Sequence, residues 1–314
     1  MDKRTVITAP GIYQDVSIDD YHADKSWISS TGLKHAKRSL AEFRMWSDGH
    51  FDAERKAVFD FGNAFELALL DHDGFDQDVA IMPTEDWERE ALEEKPDLKR
   101  PKQSTAYQSR KSAWETDHAG KYWIPDTGPE SFDTIRYMLE SCYRDSLIQK
   151  LIKNIEYQNS LYWIDETTGL RMKTRPDFSV RNYNVLVNLK TATDASPEAF
   201  RKHMLQHDYP LQAVVEIEGA LRTGLFDQVD YYYWLVVEKN PPYCAQLYRF
   251  MDDSDDFKRG ITSIRDDYHL ILDRVRKAMD ADKWPGYSDR ATDNHGIIDV
   301  YIPSFYQMYR AEVY

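Results

Sequence analysis

Two short β-like segments joined by a tight turn constrain this chain more than any other feature. The first runs into Arg175-Pro176-Asp177, and the second, Val185-Leu186-Val187, runs into Asn188-Leu189-Lys190, with Arg181-Asn182-Tyr183-Asn184 as the turn between them. Neighbouring strands place positions 177 and 188 side by side, and the two-residue period puts 188 and 190 on one face. Leu189 then points into the core and leaves its carbonyl oxygen available as a ligand. An acid, a second side-chain oxygen and a backbone carbonyl at one strand edge suit Mg²⁺, and Lys190 can orient a water or stabilise charge at a phosphate. Arg-Pro-Asp alone is ordinary turn chemistry, and an isolated Asp-x-Lys-like triplet means equally little; the pair on adjacent strands carries the signal.

Other polar residues compete less well. Glu66 is a carboxylate in the otherwise apolar helix predicted from Lys56 to Leu70, where Phe59, Phe61, Ala64, Phe65, Ala68 and Leu69 form the buried side and Gly62 suits close packing. Its alternative role is a structural salt bridge. Gln212 falls on the helix predicted from Tyr209 to Thr223, where a plain surface residue is the competing reading. His203 and His207 have zinc-helix spacing, but Met204 stands where the peptidase motif needs glutamate. Gly120-Lys121 lacks the upstream glycine of a phosphate loop, and Asp252 to Asp256 reads as an acidic cap on a last helix from Asp253 to about Met279.

The periodicity predicts a helix from Gly32 to Trp46, a mobile surface loop over residues 84 to 111, broken by Pro96 and Pro101 and leading into a helix, and one or two helices from Ser131 to Ile152. Strands follow over Ile155 to Ile164, Leu170 to Arg175 and Val185 to Thr191, then a helix started by Ser196-Pro197, and strands over Asp230 to Val237 and Ala245 to Phe250. That order implies an α/β fold with a mixed central β-sheet flanked by helices. A length of 314 residues fits one domain: a helical part over about 1–150, a catalytic sheet over about 151–250, and a helix and tail over about 251–314.

With these residues in view, the chain resembles the RecE or exonuclease VIII family of phages and prophages, within the PD-(D/E)XK nuclease superfamily. The resemblance spans Gly11-Ile12-Tyr13, Asp19-Asp20-Tyr21-His22, Ile28-Ser29-Ser30, Phe61-Gly62-Asn63-Ala64-Phe65-Glu66 and Leu69-Leu70. It continues through Ser160-Leu161-Tyr162-Trp163, Thr168-Gly169, Arg175-Pro176-Asp177, Leu189-Lys190-Thr191-Ala192, and Tyr209 with Gln212. It implies a Mg²⁺-dependent (or Mn²⁺-dependent) exonuclease that degrades linear double-stranded DNA 5′ to 3′ and leaves 3′ overhangs for an annealing recombinase of RecT type. It also implies a ring-like homo-oligomer, a tetramer, in the cytoplasm of a bacterial host. Carried over by position, Asp177, Asn188, Lys190 and Gln212 are the catalytic set, and Glu66, Asp177, Asn188 and the Leu189 carbonyl are the metal ligands. Two departures stand out. Glu216 replaces the tyrosine expected four residues after Gln212, and Asn188 replaces an acid, which is expected to lower the rate about 10²-fold or more. Two histories fit, a deliberate Asp→Asn change that traps uncleaved DNA or metal and a natural degenerate relative, and the intact Asp177, Lys190 and Glu66 favour the first. The rival from another class is a nuclease-derived protein that holds DNA ends or a partner without cutting.

A net charge of −14 argues against a protein that coats nucleic acid over its whole surface, so phosphate-contacting cations must be concentrated. The candidates are Lys34, Lys37, Arg38 and Arg44 in one group, and Lys99, Arg100, Lys102, Arg110 and Lys111 in another. No membrane span is expected, and Cys142 and Cys244 alone cannot build a disulfide framework.

Overall fold

In the computed structural model, residues 6–14, 16–51, 57–251, 263–290 and 297–298 are described. The first elements are β1 (Gly11–Tyr13), α1 (Ile18–Ala23), α2 (Ser30–Arg38) and α3 (Leu40–Ser47). Where one helix was expected from Gly32 to Trp46 there are two. Ser39 is extended (φ −163°, ψ 154°), ends α2, and caps α3 by accepting the Glu42 N–H with its side chain. A serine hydroxyl that takes over a backbone N–H in this way divides the helix. In α4 (Ala57–Leu70), Phe61, Ala64, Phe65, Ala68 and Leu69 are buried as the period predicts. The side chain of Phe59 lies outside the described residues. Gly62 is no close-packing site, since a Cβ there would meet nothing within 4 Å.

Then come α5 (His72–Asp78), β2 (Val79–Met82), α6 (Thr84–Glu94), α7 (Thr105–Asp117), β3 (Tyr122–Pro125), α8 (Phe132–Arg144) and α9 (Ser146–Ile152). Residues 84–111 are therefore mostly helical rather than a loop. The prolines do interrupt the segment, but α6 and α7 pack across the break, with Trp87 and Tyr107 edge to face at 5.7 Å. The acidic and basic blocks face each other: Glu88 pairs with Lys102 at 2.9 Å, and Glu90 and Glu94 pair with Arg110 at 2.9 and 2.7 Å.

The remaining elements are β4 (Glu156–Tyr157), β5 (Ser160–Ile164), β6 (Arg171–Thr174), β7 (Phe178–Val180), β8 (Val185–Ala192), α10 (Pro197–Gln206), α11 (Tyr209–Arg222), β9 (Tyr231–Glu238), β10 (Ala245–Arg249) and α12 (Ile264–Ala281). The main sheet has the order β10-β9-β8-β7-β4 and is mixed, with β8 and β9 parallel and the other pairs antiparallel. Helices α10 and α11 form the crossover between the parallel strands. Two smaller sheets, β1-β5-β6 and the parallel pair β2-β3, complete the set among the described residues. The strand expected over Ile155 to Ile164 is split by Gln158 (φ 58°), so that β4 joins the main sheet and β5 the small one. The partner of β8 is therefore β7, which begins immediately after Asp177, and not β6, which leads into the Arg-Pro-Asp corner. Pro176, with no N–H to offer, lies between the two ladders.

One face of the main sheet packs Phe178, Val180, Val187 and Leu189 against α4 and α8. The other packs Leu186, Tyr232, Trp234 and Val236 against α10 and α11. A third cluster joins α2, α3, α11 and α12 around Trp163 and Met172. The last helix starts at Ile264 behind a Ser263–Asp266 capping box, and the acidic run Asp252 to Asp256 lies outside the described residues.

Helix α11 lies hard against the small sheet. A Cβ on Gly219 would stand 2.6 Å from Thr174 Cγ2 and 2.9 Å from Trp163 Cζ3. Gly219→Ala is accordingly expected to cost about 1–3 kcal/mol by overpacking. A lower urea midpoint at unchanged m would register that cost, and an unchanged midpoint would mean that α11 can slide outward. The close approach also holds the preceding turns of α11, which carry Gln212 and Glu216, over β8.

Candidate active site at the Asp177 corner

In the β7–β8 ladder, Phe178 lies opposite Val187, so Asp177 comes opposite Asn188 just where β7 begins. The ladder stops there. The next N–H of β8 on that side, that of Leu189, is donated to Asp177 Oδ2 at 2.6 Å. A carboxylate thus takes the place of a backbone acceptor, and the corner is held open rather than sealed by further pairing. The Leu189 side chain is buried against α4, as alternation requires. Asn188 is fully buried on the opposite face.

Glu66 enters from α4. Its carboxyl is pushed up to about 8, first by burial and then by the nearby charge of Asp177, against the pull of Lys190 and Arg175. Asp177 is also raised by burial, an effect that Lys190 and the Leu189 N–H oppose. Two carboxylates kept close at this energetic cost form a place for positive charge. Arg175 does not fill it. Its guanidinium is tied to Ser160 Oγ at 2.8 Å and to the Val16 carbonyl at 2.5 Å, which fixes β6 to the N-terminal segment.

Asn188 has a partner that its sequence position did not reveal. Its Nδ2 donates to Glu216 Oε1 at 3.3 Å, and Glu216 is itself buried on α11. Gln212 Nε2 donates to the same oxygen at 2.8 Å, and the Tyr232 hydroxyl donates to Oε2 at 2.9 Å. Burial and then the Asp177 charge push Glu216 up to about 8, although the Gln212 and Tyr232 hydrogen bonds favour its ionised form. The other end of the amide is unsatisfied: Asn188 Oδ1 is buried without a hydrogen-bond partner. An orphaned buried acceptor costs about 1–3 kcal/mol and calls for an explanation, such as an ion.

Lys190 lies over the Tyr209 ring at 4.7 Å, and Lys34 of α2 over the same ring at 5.8 Å. Lys34 is lowered to about 8 by burial and by Lys190. Of the predicted basic groups, Lys34 stands beside Lys190 at the site. Lys37 pairs with Asp208 at 2.5 Å, Arg38 with Glu42 at 3.0 Å and Arg44 with Asp48 at 2.9 Å. Lys111 pairs with Glu115 at 3.4 Å. His203 and His207 contact each other edge to face at 5.7 Å, with His207 stacked on Tyr209. Among the described residues, no three His, Cys, Asp or Glu side chains form a metal-sized cluster. Any cation here must also draw on amide or backbone oxygen.

A mixed sheet with an acid at the start of one strand and a lysine two residues past its neighbour, joined by a helix carrying a glutamate, defines the class as PD-(D/E)XK nuclease-like. A family profile described as "PDDEXK-like domain of unknown function (DUF3799)" matches residues 29–293, and the chain belongs to that family. A search of curated proteins returned no match. Among solved structures, the chain is similar to a "Putative exonuclease" from Eubacterium rectale, with 11% identity, 94% of this chain and 98% of that one covered, and a TM-score of 0.52. That likeness shows the fold. A second structure, SSO0001, aligns over 73% of this chain and 86% of its own at 10% identity with a TM-score of 0.26, too low to carry an argument. The comparisons thus support the superfamily expected from the sequence; they do not reach the RecE family within it. Among the described residues, no helix is long and apolar enough to cross a membrane.

Proposed function

We propose that this chain is a metal-dependent nuclease that degrades linear double-stranded DNA from an end. The observation that carries the nuclease reading is the meeting of Asp177, Asn188 and Lys190 on adjacent strands at one open corner, with Glu66 entering from α4. The 5′ to 3′ direction, the 3′ overhangs, the ring-like homo-oligomer and the annealing partner of RecT type rest on the RecE-like motifs. The name of the E. rectale structure supports exonuclease rather than endonuclease action.

The donor set is of hard oxygens: two carboxylates raised by burial and one orphaned amide oxygen. Such donors fit Mg²⁺, with Mn²⁺ as a substitute, and Glu66, Asp177, Asn188 and the Leu189 carbonyl would hold it. The chemistry supplied by a bound ion is charge neutralisation at a phosphate and activation of water. The residues of the chain do the positioning. Asp177 is fixed through one oxygen by the Leu189 N–H, which leaves its other oxygen for a cation. Lys190 and Lys34 both stand over the Tyr209 ring and offer two cations to phosphate oxygens, with Lys190 acting on both Glu66 and Asp177. Lys190 also offers a donor for orienting the attacking water or stabilising charge as the phosphate is displaced.

Digestion of linear and circular duplexes with and without Mg²⁺ tests the reading. Mg²⁺-dependent loss of linear DNA alone supports it. Cleavage of circles would make the chain an endonuclease of the same fold, and end binding without nucleotide release would establish the non-cutting alternative. Lys34→Gln is expected to flatten the dependence of log K for DNA-end binding on log salt by about 0.9, the loss of one phosphate contact. An unchanged slope would place the DNA elsewhere, with the α6–α7 cations Lys99, Arg100 and Lys102 next to be reversed.

A further inference from the structure

We infer that Glu216 is the positioning residue that lets Asn188 serve as a metal ligand: the carboxylate missing from β8 is replaced by a two-residue unit, an amide oxygen facing the metal and a carboxylate behind it. This inference rests on the metal-dependent nuclease reading and concerns how that site is completed.

The geometry leads there in three steps. Glu216 Oε1 lies 3.3 Å from the Asn188 amide nitrogen. The same Oε1 also accepts from Gln212 Nε2, so it is an acceptor here; the NH₂ end of the amide faces it and the amide oxygen faces away. That oxygen, Oδ1, is buried with no hydrogen-bond partner, on the strand face it shares with Lys190 and opposite Asp177 in register. The amide is therefore oriented as a cation ligand would be, and nothing else in the described structure uses it.

The second step concerns charge. A cation at the amide oxygen would favour the ionised form of Glu216, and the Asn188–Glu216 unit would then carry the single negative charge that an aspartate at 188 would carry, displaced by one hydrogen bond. A carboxylate that accepts from a ligand's N–H polarises that ligand, the relation seen when a carboxylate backs a metal-bound histidine.

The third is that Glu216 is held for this task. Gln212 donates to it at 2.8 Å and Tyr232 at 2.9 Å, so α11 and β9 both fix its orientation. The glutamine expected to be catalytic thus acts through Glu216 in this structure. The replacement at 188 and the replacement four residues after Gln212 belong together, and the carboxylate count is preserved. The rate loss expected from Asn188 alone does not follow on this view.

A double-mutant cycle with Mn²⁺ binding as the readout tests the inference, using isothermal titration on the full chain. Glu216→Gln in the Asn188 background is expected to weaken Mn²⁺ binding about tenfold or more, the usual cost of removing an outer partner of a ligand. In an Asn188→Asp background the same Glu216→Gln change is expected to strengthen Mn²⁺ binding, because it removes a like charge in contact with Asp. A purely structural role for Glu216 would give the same sign in both backgrounds, and that result would overturn the inference while leaving the nuclease reading intact. Failure of the unaltered chain to bind Mn²⁺ would overturn both. If Glu216→Gln does not fold, Asn188→Ala serves instead. It removes only the orphaned oxygen and its NH₂, so unchanged Mn²⁺ affinity in that variant refutes the ligand role.

Discussion

Asp177→Asn is expected to lower turnover on linear duplex DNA by at least about 10²-fold, the scale of losing one preorganised electrostatic group, and at the same time to raise the thermal midpoint of the metal-free protein. Both effects come from the same charge. Asparagine can still accept the Leu189 N–H through its side-chain oxygen, so the corner where β7 begins keeps its hydrogen bond. What disappears is a buried negative charge that pushes up both Glu66 and Glu216. Relief of that repulsion stabilises the fold, while the place for positive charge is dismantled; active sites commonly hold such a balance between function and stability. Single-turnover digestion and a thermal scan on the same preparation read the two effects. Turnover within a few-fold of the parent would remove Asp177 from the site. A fall in the midpoint would show that the Leu189 hydrogen bond needs a carboxylate.

The strand pair at the centre of this site was legible because side-chain alternation is a rigid rule: once Val185 to Thr191 is taken as a strand, Asn188 and Lys190 must share a face. Glu66 was legible by a different rule, a carboxylate in an apolar helix. The same rule applied to Glu216, which stands among Val214, Val215 and Ile217 and is also spaced i, i+4 from Gln212. The family pattern has tyrosine at that place, so the glutamate reads there as a mismatch and not as a group of the site. Tyr232 could not have been found this way, since its place in the site depends on the parallel register of β8 and β9, in which Leu186 lies opposite Tyr232. Sequence periodicity does not encode that kind of non-local pairing. Two of the errors in the fold are elements divided by a single residue. Ser39 and Gln158 each interrupt a segment whose hydrophobic pattern runs on unbroken, so the pattern hides the division. The α6–α7 region failed differently, because high charge resembles loop composition when the opposite charges are on facing segments that neutralise each other.

The stability of the metal-free protein is expected to fall as pH rises from about 6.5 to about 8, and Mg²⁺ is expected to cancel or reverse that fall. Glu66 and Glu216 are both raised from an ordinary value of 4.5 to about 8. Between those limits the folded chain holds more protons than the unfolded one, so the slope of unfolding free energy against pH is negative. The stabilisation is complete below the unfolded value and is lost as pH passes through the folded one. His22 opposes this below its ordinary 6.5, because burial and the charge of Lys173 lower it to about 4, and stability gains with pH across that range. Lys34 and Lys173, lowered to about 8 chiefly by burial, oppose it between about 8 and their ordinary 10.5. The interval from about 6.5 to 8 is thus where the two carboxylates dominate the slope. Across it, thermal scans without metal should show the midpoint dropping by on the order of 5 °C. A divalent cation binds the ionised carboxylates of the folded state, so its stabilisation must grow with pH over the same interval. A metal-free midpoint that rises from pH 6.5 to 8 would show that Glu66 and Glu216 are not each buried beside Asp177. A normal fall that Mg²⁺ leaves unaltered would show that the two carboxyls are buried there but that no cation binds at the corner.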